Sequence, residues 1–129
     1  MGETVKEKAG QAPAVQKKPQ LDFVHLHNHT HYSLLDGLQK IPDMLDWVES
    51  LGQKAVAITD HGTMSGVIEF YKGCKKRNIT PIIGMEAYVA PRKMSDKSTR
   101  EDRSPFHLTL LAKNQVGYHN LMKLSTQAW

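Results

Sequence analysis

The sequence predicts an α/β fold in which parallel strands alternate with crossover helices. Three observations predict it. Short apolar runs at residues 55–58 and 81–83 have the length and composition of buried parallel strands. Segments of helical periodicity lie before and between them. Histidines and acids stand directly after the apolar runs, where α/β folds collect their sites.

Residues 1–20 carry Ala, Gln, Lys, Gly and Pro without periodicity and read as a disordered leader. Order is expected from Leu21, and residues 21–129 read as one unit. Residues 23–27 alternate enough for a first strand. Residues 41–51 read as a helix, because Ile41, Met44, Leu45, Val48 and Leu51 recur at helical spacing. Pro42 suits its first turn and Gly52 its exit. The strand at 55–58 follows, then a helix at 67–77 with Val67, Ile68, Tyr71 and Cys74 on one face. A third strand is expected at 81–83, with 87–89 extending the sheet. Residues 92–104 are charged, with Met94 as their one apolar side chain, and read as a mobile surface loop. A strand at 106–112 and a helix at 117–128, carried by Leu121, Leu124 and Ala128, complete the chain. The order β-α-β-α-β, then β-α, implies parallel strands throughout.

The chain has 129 residues, the size of one domain but short for a complete α/β barrel, which takes about 200 residues or more. Seventeen basic and thirteen acidic residues give a net charge of +4. Lys6, Lys8, Lys17 and Lys18 against Glu3 and Glu7 account for +2 of it, so the remainder holds only a mild positive balance. That is weak support for a nucleic-acid partner. The single cysteine, Cys74, excludes an intramolecular disulfide and favours a reducing compartment. No apolar run approaches a membrane span and no signal-like segment opens the chain, so a cytoplasmic location without a membrane partner is expected.

Four of the seven histidines fall in one stretch, His25, His27, His29 and His31. On an extended strand, residues two apart share a face, so all four would project to one side. A His-X-His pair can place two imidazoles on one metal ion. A second motif, Thr59-Asp60-His61-Gly62, ends the strand at 55–58. It sets His61 where a ligand should stand, with Asp60 as a ligand, an orienting partner for a histidine, or a cap on the next helix. Glu86 follows the apolar run at 81–83 and would sit at the same end of the sheet. A carboxylate there suits a divalent ion and can bridge two. His107 opens the last strand, which on parallel topology puts it at the wrong end. His119 reads as a surface residue, and Cys74 as a small core residue. Lys75, Lys76 and Arg77 close a helix, where cations complement the dipole. There is no Walker-type loop, no G-x-G-x-x-G fingerprint, and no support for a serine triad.

Taken in order, His27-Asn28-His29-Thr30, Asp36-Gly37, Thr59-Asp60-His61-Gly62, Gly84-Met85-Glu86-Ala87-Tyr88 and Phe106-His107-Leu108-Thr109 resemble the successive motifs of the polymerase-and-histidinol-phosphatase superfamily. Tyr32-Ser33-Leu34-Leu35-Asp36-Gly37 is similar to the variant carried at the start of bacterial replicative DNA polymerases. The resemblance implies the first part of a distorted seven-stranded α/β barrel. It implies His27, His29, Asp36, His61, Glu86 and His107 as ligands for two or three divalent ions, zinc, manganese or iron. His25 then becomes a neighbour of the ligands. The implied chemistry is metal-dependent phosphoester hydrolysis, in a 3′-to-5′ exonuclease, beside DNA synthesis at a magnesium site elsewhere. The implied partners are DNA and other subunits of a replicative holoenzyme. The family's later motifs would lie beyond Trp129, so the chain reads as a fragment. A free-standing phosphatase of the same superfamily, a structural domain without catalysis, and an amidohydrolase are the rival readings.

Overall fold

A computed structural model describes residues 22–128. The expected leader lies outside the described residues. The helical spacing of Ile41, Met44, Leu45 and Val48 becomes α1 (Ile41–Ser50), with Pro42 in its first turn and these four side chains buried. Each such burial contributes on the order of 2 kcal/mol. The apolar run at 55–58 is β1 (Ala55–Ile58), and it leads through α2 (Val67–Lys76) to β2 (Thr80–Val89). β3 (Phe106–Leu111) and α3 (Gln115–Ala128) follow. α3 begins two residues earlier than the spacing suggests. The reason is Asn114, whose side-chain oxygen accepts from the Gly117 N–H at 3.1 Å and caps the first turn.

The core lies where α1 and α2 meet β1. Ile41, Leu45 and Val48 pack with Val56, Ile58, Val67, Phe70 and Cys74. The buried stripe of α2 is Val67, Phe70 and Cys74, which corrects the expected face. Ile68 and Tyr71 are exposed and line a groove of about 440 Å³ with Pro81, Ile83 and Tyr118. Cys74 is fully buried, and burial pushes its thiol up to about 11, as befits an inert core residue. Arg77 at the exit of α2 reaches back to Asp46 of α1 at 2.5 Å.

The sheet has the order β1-β2-β3. β1 and β2 are parallel, joined by a crossover through α2. β2 is one ten-residue strand instead of a short run with a detached extension, so Glu86 lies inside it. β3 runs antiparallel to β2. This overturns the all-parallel expectation. No α-helix joins the two strands, only the segment 90–105 with one short 3-10 turn at Glu101–Arg103, and a connection without a crossover helix favours an antiparallel return. That segment is folded on itself. Arg92 donates to both oxygens of Asp102 (3.0 and 2.7 Å), which also accepts from the Thr99 N–H, and the Arg92 guanidinium holds the Asp102 carboxyl below the usual carboxylate range.

Residues 23–27 do not form a regular strand. They run extended beside β1, and the Ala57 N–H donates to the His25 carbonyl at 2.9 Å. The next rung is irregular: Asn28 Nδ2 donates to the Ala57 carbonyl (3.1 Å), and the Thr59 N–H donates to the Asn28 carbonyl (2.9 Å). Three residues of this segment therefore match two of β1, as in a bulge, because a side-chain amide takes the place of a backbone donor. Among the described residues, no helix is long and apolar enough to cross a membrane.

Candidate metal centre

Constant register brings His61 to Glu86. β1 and β2 pair at a fixed offset of 25, from Ala55 with Thr80 to Ile58 with Ile83. The same offset continues past the end of β1 to a bridge between His61 and Glu86. The Glu86 N–H donates to the Asp60 carbonyl (3.0 Å), and the Gly62 N–H donates to the Glu86 carbonyl (2.9 Å). Antiparallel β3 then carries its first residues to this same end of the sheet. His107 lies opposite Tyr88 and reaches diagonally to Glu86, as side chains two positions off register can. The residue that parallel topology put at the wrong end is thus at the right one.

Glu86 is the hub. It is 3% exposed, and its Oε2 accepts from the Nε2 of His27 and of His29, the latter at 2.6 Å. Its Oε1 accepts from His107 Nδ1 at 2.5 Å and lies 3.9 Å from His61 Nδ1. His27 Nε2 and His29 Nε2 are 3.1 Å apart. Burial would push the Glu86 carboxyl up, but the hydrogen bonds from His27, His29 and His107 outweigh it and bring it down to about 2. Asp36, largely exposed, stands 3.2 Å from His61 Nε2 through its Oδ2. All six residues of the expected ligand set therefore converge on one place.

Asp60 does something else. It is 1% exposed, and its oxygens accept from the Thr30 N–H (2.6 Å), the Thr30 hydroxyl (2.8 Å) and the Ser33 hydroxyl (2.8 Å). The Ser33 oxygen in turn accepts from the His61 N–H at 3.1 Å. Asp60 thereby pins the turn that carries Asp36 to the strand end that carries His61. Gly37 closes that turn, because a Cβ there would overlap the Thr30 carbonyl oxygen. His25 and His31 do not join the cluster: His25 precedes the irregular pairing at Asn28, and His31 already belongs to the turn that follows. His25 packs against Phe23 and His31 against Tyr32. His119 is exposed on α3, away from the cluster.

The donor set fits divalent metal ions. Two groups of ring nitrogens and carboxylate oxygens lie within coordinating reach, His27, His29 and Glu86, and His61, Glu86 and His107. They share one carboxylate, whose two oxygens face different groups, the arrangement a bridging ligand needs. His61 Nδ1 is buried with no hydrogen-bond partner, a costly state for a ring nitrogen unless a cation accepts its lone pair. Asn28, Thr30, Ser33 and Tyr88 also border the site; they stand inside the quoted motifs, but motif reading gave them no role. The first three lie between or beside the histidines, and their polar side chains were the available signal. For Tyr88, two residues from Glu86 on the same strand face, the signal was its place at the end of the Gly84-Met85-Glu86-Ala87-Tyr88 motif.

The PHP domain family matches residues 25–129 of this sequence. The chain belongs to the PHP domain family. Its PHP sequence is 53% identical over 107 residues to the DNA polymerase III subunit alpha of Helicobacter pylori, covering 83% of this chain and 9% of that protein. It is 50% identical over 119 residues to that of Mycobacterium tuberculosis (82% and 10%) and 47% identical over 113 residues to that of Thermus aquaticus (84% and 9%). The chain spans about a tenth of the length of these curated relatives. Among solved structures, the PHP fold here is similar to a candidate metal-dependent phosphoesterase from Bifidobacterium adolescentis, with TM-score 0.55 and 20% identity, over 82% of this chain and 34% of that one. It is also similar to an amidohydrolase from Chromobacterium violaceum that holds sulfate and no metal (TM-score 0.54, 21% identity, 78% and 32%). Those two likenesses concern the fold. The mixed α/β arrangement with its three-stranded sheet is thus that of a PHP domain's first part.

Proposed function

We propose that residues 21–129 form the amino-terminal portion of the PHP domain of a bacterial replicative DNA polymerase alpha subunit. In this reading His27, His29, Asp36, His61, Glu86 and His107 hold two or three divalent ions, zinc, manganese or iron, at a phosphoesterase site that removes nucleotides from DNA 3′ ends. The observation that carries it is Glu86, whose two carboxylate oxygens face two separate histidine groups. Identities of 47–53% to alpha subunits support the polymerase assignment.

The ions, when bound, supply Lewis acidity toward a phosphate oxygen and make water a stronger nucleophile at neutral pH. The chain's own residues do the rest. Glu86 offers one oxygen to each group and keeps the two a fixed distance apart. His27 and His107, the most exposed of the four histidines (55% and 45%), mark the open side from which a phosphodiester enters. Asp60 fixes the turn bearing Asp36. DNA and the other holoenzyme subunits are the partners, in the cytoplasm, with DNA synthesis at a separate magnesium site of the longer protein.

Elemental analysis and a 3′-end-labelled single-stranded DNA assay on the full-length protein test this. The wild type should carry zinc, manganese or iron and shorten the strand. His27→Ala with His29→Ala should lose metal and nuclease together. Metal without nuclease would leave a structural PHP domain, and a metal-free wild type would remove the reading altogether.

A further inference from the structure

Tyr88 occupies a place none of the site roles above explains. It follows Glu86 by two residues on β2, so both side chains lie on one face of the sheet. His107 is its direct cross-strand partner. Yet His107 does not stand straight across; it leans diagonally to Glu86 at 2.5 Å. The Tyr88 ring fills the space directly opposite, edge-on to His107 with centroids 5.1 Å apart. It is also nearly parallel to the His61 ring, 11° between planes and 6.1 Å between centroids. Both spacings lie within the range of favourable aromatic pairs. Gly62 makes room for it. This residue has φ +61, and a Cβ there would come within 3.1 Å of the ring. The ring therefore borders two of the four histidines and neither His27 nor His29.

We propose that Tyr88 is a positioning residue for one half of the metal centre. Its ring denies His107 the straight cross-strand orientation and directs its Nδ1 to Glu86. The same ring sets the plane of His61, whose Nδ1 is the buried atom without a hydrogen-bond partner. The planar ring carries this role and the hydroxyl does not, since all the contacts are ring to ring. The inference rests on the metal-centre reading, and it makes the two halves of the centre separately breakable.

The test is cobalt(II) titration of the intact, metal-stripped protein, following ion stoichiometry and the visible absorption of the bound cobalt. Tyr88→Val keeps a good strand former and removes the ring. It should hold the ion of the His27–His29 group as the wild type does. Its other ion should bind about 10- to 100-fold more weakly, as is usual when a group that orients a ligand is lost, with an altered spectrum. Tyr88→Phe should match the wild type in both respects. Far-UV circular dichroism of the metal-free proteins should be unchanged; if Tyr88→Val does not fold, Tyr88→Leu, bulky but without a planar ring, takes its place. Equal titrations for wild type and Tyr88→Val overturn the inference and leave the metal centre standing. So does a Tyr88→Phe spectrum unlike the wild type. A wild type that takes up no cobalt removes the metal centre itself.

Discussion

Two polar clusters stand at the same end of the sheet, built from neighbouring residues, and the fold treats them in opposite ways. Around Asp60 everything is closed. The carboxylate is buried and accepts from one backbone N–H and two hydroxyls. Around Glu86 the carboxylate is equally buried, yet its partners are imidazoles that open outward to solvent. Burial therefore does not separate these two acids; the partners do. The donors to Asp60 are a backbone N–H and two buried hydroxyls, all committed within the fold. An imidazole nitrogen can present a proton or a lone pair, so the Glu86 cluster can trade its internal hydrogen bonds for bonds to a cation.

Three perturbations would break or sharpen that contrast. The largest effect belongs to Asp60→Ala. It leaves the Thr30 N–H and two buried hydroxyls without their acceptor and should lower stability by about 3 kcal/mol in denaturant unfolding. A variant as stable as the wild type would show that the pin is not structural.

The second perturbation is Glu86→Gln, followed by urea unfolding across pH in the presence of a chelator. The Glu86 carboxyl is held at about 2, below its ordinary 4.5. A depressed carboxyl contributes stability that is complete above 4.5 and is lost as pH falls through about 2. The wild-type advantage over Glu86→Gln should therefore shrink between about pH 4.5 and 2, and a difference that stays constant there would contradict the hydrogen-bonded hub.

The smallest stability effect is expected for Asp36→Asn. Asp36 is largely exposed, so its pairing with His61 contributes less than about 1 kcal/mol. Its metal content should nevertheless fall, because a charged oxygen is lost from the cluster. Loss of stability without loss of metal would place Asp36 with Asp60 in the structural class.

Much of this was legible in order along the chain. The apolar spacing of Ile41, Met44, Leu45 and Val48 marked α1, and the run at 55–58 marked β1, because burial on one face imposes a period that sequence records directly. The stripe of α2 was misplaced, since Phe70, Ile68 and Tyr71 are all apolar and only packing against α1 and β1 selects Phe70. The first histidine stretch was read as a regular strand, since nothing in its pattern announces that the Asn28 amide replaces a backbone donor.

By itself the sequence marked the groups that meet at the candidate centre: the His-X-His pair at His27 and His29, the strand-end His61, and the acids Asp36 and Glu86. Local pattern suffices there, because a strand end and its residue types are short-range properties. Only the tertiary structure decided how they meet. The direction of β3, the unbroken register from β1 into His61 and Glu86, and the irregular pairing of residues 25–28 beside β1 all depend on pairings between distant segments. Hydrogen-bond direction and register are set by which backbone groups find partners on folding, and those choices brought His107 to the end of the sheet where Glu86 and the other histidines meet.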